Sequence, residues 1–384
     1  DFPLFKAFAA ARRYACSIRQ ERLEAQRDLE ELPLREVPAP RPIDSRERGR
    51  RDWERCERLL VQARELRRNH PPAAVAATSM AVCLAERIPA DLKGARELAD
   101  LQARTLAERG NARRVADDLS GAESDLARAL DRAGRGTESP ALMANLLDLT
   151  ASLRIDQRRF DEASRLLDWV HFIYLELGDR HEAGRALISK SNAASYALDL
   201  QKAIRLLAMG LQLIDTEREP HLVLTGIHNL AYHLIDDNRV EEARQLMREN
   251  RPLYDTHGGR VDRLKARWLE GRIAFLQQDA GEAETAFQEV RAGFEEAEIT
   301  YDIALVSLEL AEIWLAQGRT EEILGLLDNT LSVFRSKGIR REAIAALLLL
   351  RESLCQQSVT VDLLRKTVSR LEQYWSEPVV RRTS

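Results

Sequence analysis

Small residues recur in this sequence as pairs twelve positions apart, and the pairs themselves repeat with a nearly constant step. Gly110 is followed by Ala122, Ala151 by Ala163, Ser191 by Ala203, Ala231 by Ala243 and Gly271 by Ala283. A sixth pair, Ala311 and Ile323, keeps the spacing but not the second small side chain. Second members advance by 41, 40, 40, 40 and 40 residues. Four residues after each stands a large apolar side chain: Leu126, Leu167, Leu207, Met247, Phe287 and Leu327. Antiparallel helices approach closely only where both present small side chains, and bulky neighbours one turn on fill the adjoining groove. A register held over five steps predicts stacked helix pairs, each unit about forty residues long.

The surrounding pattern agrees. From residue 98 onward apolar residues fall at spacings of three and four, and no stretch alternates long enough for a strand. Gly134, Gly136, Pro140, Gly178, Pro220, Gly258, Gly259, Gly293, Gly318 and Gly338 cut this region into helices of roughly 12 to 20 residues. Upstream, Arg50–Asn69 and Ala73–Arg87 predict an irregular opening pair, interrupted by His70-Pro71-Pro72 and Pro89. Pro3–Leu32 predicts one helix, and the four prolines of residues 33–45 predict an extended linker. The expected organisation is an N-terminal helix and linker over 1–45, opening helices over 46–97, the helical array over 98–355, and a closing segment over 356–384 in which Val361–Trp375 caps the stack.

Composition narrows the classes. With 384 residues, 45% hydrophobic and 31% charged, the chain is too apolar for disorder and too charged for a membrane protein. The longest apolar run, Ala343–Leu350, is under half the ~20 residues of a bilayer span. No signal-peptide pattern opens the chain. The first residue is Asp1 rather than Met, as expected of a piece of a longer polypeptide. Cys16, Cys56, Cys83 and Cys355 form no CxxC pair, which fits a reducing cytoplasm rather than a disulfide framework or zinc site. A net charge of −4 makes no whole-chain case for nucleic acid. Residues 1–70 carry 17 Arg/Lys against 13 Asp/Glu, but Glu47, Asp52, Glu54 and Glu57 interleave with the arginines of Arg46–Leu60, as on an ion-paired helix face.

Motifs for chemistry are missing. The sequence has no GxxxxGK[ST], GxGxxG, HExxH or GxSxG. His228 and His233 are five apart, about 140° around a helix, so they do not share a metal-binding face. Acidic pairs (Asp117-Asp118, Glu241-Glu242, Glu321-Glu322) recur at helix starts, where the helix dipole accounts for them. The expectation is a non-enzymatic chain without metal or cofactor.

The forty-residue pattern resembles the tetratricopeptide repeat (TPR). The resemblance lies in the small residue within the first helix, the small residue opening the second, and the bulky residue four later. Stretches such as RRFDEASRLL (Arg158–Leu167), NRVEEARQLM (Asn238–Met247) and AGEAETAF (Ala280–Phe287) carry it, over about residues 98–340. The usual repeat has 34 residues, so each unit here is about six longer; the terminal Pro is mostly absent, and Ile323 departs from the pattern.

The resemblance implies an all-α, right-handed α-solenoid whose first helices line a concave wall. By the family mapping, the residues three before, one after and sometimes six before the first small residue face that wall. Those are Asn111; Asn145, Asp148 and Ser152; Arg185 and Asn192; His228 and Tyr232; Lys265, Trp268 and Arg272; and Glu312. Amides, guanidinium groups and aromatics together suit an extended peptide, and on this reading Trp268 and Arg272 can be removed without loss of stability. The alternative turns Trp268 and Tyr232 inward as core. Asn192, Lys265 and Arg272 match carboxylate-gripping TPR domains by type, though not as one contiguous set. The implied function is a protein- or peptide-binding scaffold, a regulatory or signalling module of a bacterial cytoplasm. Other implied roles are a subunit that holds a protease, nuclease or sigma-type factor inactive, and the sensor part of a transcription regulator. Neither nucleic acid nor membrane is expected as a partner of this chain alone, and nothing excludes a homodimer.

Overall fold

The computed structural model describes residues 45–336 and 365–367. The expected helix over Pro3–Leu32, the linker after it, and most of the closing segment lie outside the described residues. Fourteen helices, among the described residues, follow one another as seven antiparallel pairs, with no strand. They are α1 (Ser45–Asn69) with α2 (Pro71–Arg87), α3 (Ala95–Val115) with α4 (Leu119–Ala133), and α5 (Pro140–Asp156) with α6 (Phe160–Glu176). The series continues with α7 (Arg180–Tyr196) and α8 (Leu200–Leu211), α9 (Pro220–Asp236) and α10 (Val240–His257), α11 (Arg260–Leu276) and α12 (Ala280–Glu296), then α13 (Thr300–Ala316) and α14 (Thr320–Ser336).

Each consecutive pair of helices is packed together. Odd-numbered helices also touch their odd neighbours, α1 with α3, α3 with α5, α5 with α7 and α9 with α11. In a curved stack the helices that approach one another in this way line the concave side. This is an α-solenoid.

The small residues sit at the helix crossings, as their spacing predicts. Ala122, Ala151, Ala163, Ser191, Ala203, Ala231, Ala243, Ala283 and Ala311 have no exposed surface. At Gly271 the need for glycine is direct: a Cβ there would lie 2.7 Å from Cε1 of Phe287, the largest of the residues four after the crossing. Ile323 is accommodated against Ala311 and is itself fully buried. The opening pair is less irregular than expected. Ala63 and Ala74 provide a small-residue contact in α1 and α2, eleven apart, and the loop over 88–94 shifts the register before α3.

From α5 onward helix starts fall every twenty residues, because a 17-residue helix is followed by a three-residue turn. The turn has one left-handed residue, found at Arg158, Gly178, Leu198, Asn238, Gln278, Glu298 and Gly318. The next amide then reaches back to the preceding helix: Asp179 N–H to Tyr174 O at 2.9 Å, Asp199 N–H to Ala194 O at 2.9 Å. That same residue starts the following helix. Asp118, Asp179, Asp199 and Asp279 each accept the amide three residues on, at 2.9–3.1 Å. Where the position is Arg159, Arg239 or Arg319, the guanidinium grips the carboxylate three residues on instead: Glu162, Glu242 or Glu322. Of the acidic pairs at helix starts, Asp118 thus caps its helix, while Glu242 and Glu322 are held by the arginine three residues before them. Near 218 and 258 the left-handed residue is missing, and α8 ends early at Leu211.

Leu198 holds a left-handed backbone (φ 62°) with its side chain 91% exposed, so it has strain and little burial to offset it. Leu198→Gly is expected to raise stability by roughly 1 kcal/mol in urea unfolding, where an unstrained Leu198 would make the change destabilising.

Candidate binding groove on the inner wall

At the position one after each crossing residue, contacts run between neighbouring odd-numbered helices, as Arg272 makes with Asp236 and Glu309. Ser152, Asn192, Tyr232, Arg272 and Glu312 occupy it on α5, α7, α9, α11 and α13, all half-buried. Their contacts run along the wall from helix to helix. The Arg272 guanidinium lies 4.5 Å from the centre of the Tyr232 ring. It also bonds Asp236 (2.9 Å) on α9 and pairs with Glu309 (3.2 Å) on α13. Burial alone would lower the Arg272 pKa; Glu309, with Tyr232 and Asp236, more than offsets it and raises the pKa above its ordinary value. Its Nη1 is buried without a partner.

Several expected wall residues are engaged in structural bonds. Asn111 is 4% exposed, and its Oδ1 accepts two bonds from Arg114, which ties on to Asp156 at 2.6 Å. Arg185 pairs with Glu219 (2.5 Å) and Glu182 (3.3 Å). Glu312, with its side chain 16% exposed, accepts from Arg365 at 2.6 Å, so one described residue of the closing segment reaches the wall.

The position three before each crossing behaves differently from the family mapping. Ile188, Trp268 and Leu308 are buried there and close that part of the stripe to a ligand, whereas Asp148 and His228 keep part of their surface exposed. Trp268 is a core residue. It is 8% exposed, packs edge-on against Phe294 with ring centres 6.0 Å apart, and donates its indole N–H to Glu309 at 2.5 Å. Its large apolar surface and single donor are both satisfied inside, so it presents no free face to a ligand.

The same stripe carries two ionisable residues, Asp148 and His228. Burial pushes the Asp148 carboxyl up, with Glu182 adding to the rise while Arg185 and Arg114 oppose it. Burial, with the nearby positive charges of Lys265 and Arg272, pushes the His228 imidazole down to about 4, so it is neutral near pH 7. His228 Nδ1 is buried without a partner. Lys265, Asn145 and Asn192 are half-buried on the same side.

Sequence reasoning missed Asp236 and Glu309, which hold Arg272, and His181, which accepts the Asp215 amide at 3.2 Å and faces Glu219. Glu309 stands forty residues after the buried Leu269; that periodic offset is the signal that marks it.

A cleft between α10 and α11, lined by Met247, Tyr254, Arg263 and Arg267, encloses about 130 Å³. That is well below the roughly 300–1,000 Å³ of small-molecule sites. Among the described residues no group of three His, Cys, Asp or Glu side chains could hold a metal ion, and no helix is long and apolar enough to cross a membrane.

No protein-family model matches this sequence, and no curated relative does. Solved structures match by shape. A Rap protein complexed with competence and sporulation factor superposes with a TM-score of 0.54 at 15% identity, over 84% of this chain and 88% of that one. Aspartyl phosphate phosphatase F from Bacillus subtilis gives 0.54 at 13%, covering 84% of each chain. BtubC (BKLC) from P. vanneervenii gives 0.51 at 17%, over 60% of this chain and 93% of its own. The chain has a TPR-like fold. At these identities the likeness is one of fold, and the TPR-like solenoid is distinguished by its own wall residues.

Because Trp268 is core, Trp268→Ala is expected to destabilise the TPR-like array by about 3–5 kcal/mol in urea unfolding. An unchanged midpoint would put the indole back on the open wall.

Proposed function

We propose that this chain is a non-enzymatic binding module that captures an extended peptide or protein segment along the wall formed by its odd-numbered helices. Its role is regulatory or signalling recognition in a bacterial cytoplasm. The observation that carries this reading lies in two polar atoms left over on neighbouring odd helices, α9 and α11. Most charged side chains, on the wall and off it, are consumed in pairs, such as Arg185 with Glu219 or Arg267 with Glu282 and Glu289, and off the wall Arg291 Nε is also left over. On the wall, His228 Nδ1 and Arg272 Nη1 are enclosed with nothing to bond. A buried polar atom without a partner costs free energy, and a ligand that supplies one recovers it. An extended chain offers amide and carbonyl groups at the right interval for successive helices.

The similarity to a Rap protein solved with competence and sporulation factor supports the reading, since that fold holds a ligand in at least one case. The small cleft between α10 and α11 supports a partner that lies on a surface over one that enters a pocket.

Phage display of random twelve-residue peptides on the full chain tests the proposal. Selected peptides are expected to bind Asn192→Ala at least about tenfold more weakly, as for a contact at the centre of an interface, and Arg165→Ala on the outer face of α6 with unchanged affinity. Peptides sensitive to Arg165 and indifferent to Asn192 would place binding on the other face and contradict it.

A further inference from the structure

Asp148 and His228 stand where the other units of the array place Ile188, Trp268 and Leu308. An ionisable group in a position that packing prefers to fill with hydrocarbon is costly unless something pairs with it. Among the described residues Asp148 makes no hydrogen bond or ion pair, and its nearest cations are already engaged. Arg185 is held by Glu219 and Glu182, and Arg114 by Asp156 and Asn111. Two odd helices further along, His228 is neutral with Nδ1 unpartnered, and the cations beside it are Lys265 and Arg272. Arg272 uses its other nitrogens on Asp236 and Glu309 and leaves Nη1 over. Lys265 makes no hydrogen bond or ion pair among the described residues. The acid beside it is Asp302 on α13, whose carboxyl burial pushes up.

We infer that the wall is polarised, and that it takes an extended peptide with a cationic group over Asp148 and a carboxylate over His228, Lys265 and Arg272. This rests on the groove reading above and adds the charge, length and direction of the ligand. A cation over Asp148 supplies the counter-ion that the carboxylate lacks. A carboxylate is the group that accepts from Arg272 Nη1 and the Lys265 ammonium together. The separation follows from the stacking. α5 and α9 are two odd-helix steps apart, at least about 16 Å at the 8–10 Å spacing of packed helices, which an extended chain crosses in no fewer than about five residues. Peptides carrying the two charges at that interval in one order fit; the reversed order sets like charges against each other at both ends.

The test is the same twelve-residue phage library selected in parallel on the wild-type chain, Asp148→Asn and Lys265→Gln, with circular dichroism confirming that all three are folded. Wild-type selection is expected to enrich Lys or Arg and Asp or Glu about five to seven positions apart, in one order. Asp148→Asn is expected to lose the basic preference alone, and Lys265→Gln the acidic preference alone. Each substitution weakens wild-type-selected peptides about tenfold, and has little effect on a peptide with Ala at the corresponding end. Peptides sensitive to Asn192→Ala but without the charge pair, or with a preference indifferent to both substitutions, overturn the polarity and leave the groove standing. An absence of any Asn192-sensitive peptide overturns both.

Discussion

The close approach of paired helices at a small side chain is the constraint on which the rest of this molecule depends. Ala151 against Ala163 and Ala231 against Ala243 remove every exposed atom at the crossing and let the neighbouring Leu167 and Met247 bury themselves. The Gly271 and Phe287 pair shows the same volume divided differently, with the smallest residue opposite the largest. Because each pair nests in the same way, the stack curves with one set of helices always inside. The wall is therefore a consequence of packing rather than a separately built site.

The turns give that packing its regularity. One residue in the left-handed conformation closes a helix, and the next opens its successor, so a single dipeptide does both tasks within three residues. Two chemistries stand at that position, an Asp that caps the helix by accepting a backbone amide and an Arg that makes no cap bond and instead grips the Glu three residues on. Between α3 and α14 they alternate along the turns that join the two helices of each pair: Asp118, Arg159, Asp199, Arg239, Asp279, Arg319.

The fold was legible because a crossing leaves a periodic trace. Pairs such as Ser191 and Ala203 name both helices and their register at once. The opening pair was harder to read because seven residues of loop before α3 displaced Ala63 and Ala74 from the period. The wall was legible only in part. Position in the repeat assigns a face, and on that face Arg272 is tied to Asp236 and Glu309 of the neighbouring odd helices. It does not say whether a side chain lies flat between two helices or stands clear, and there Trp268 went inward to Phe294 and Glu309. Asn111 likewise faces inward and spends its oxygen on Arg114. Periodicity reports faces; the partners that consume a residue, Glu309 for Trp268 and Arg114 for Asn111, do not follow the period.

Curvature is the property that joins packing to binding, and distance measurements between matched spin labels test it most directly. Labels at Asn145 and Lys265 on the odd helices, and at Arg165 and Thr285 on the even ones, are separated by the same 120 residues of chain. A stack with odd helices inside gives a shorter distance for the first pair than for the second. Equal distances would describe a straight array without a groove, and the opposite order would put the even helices on the concave side.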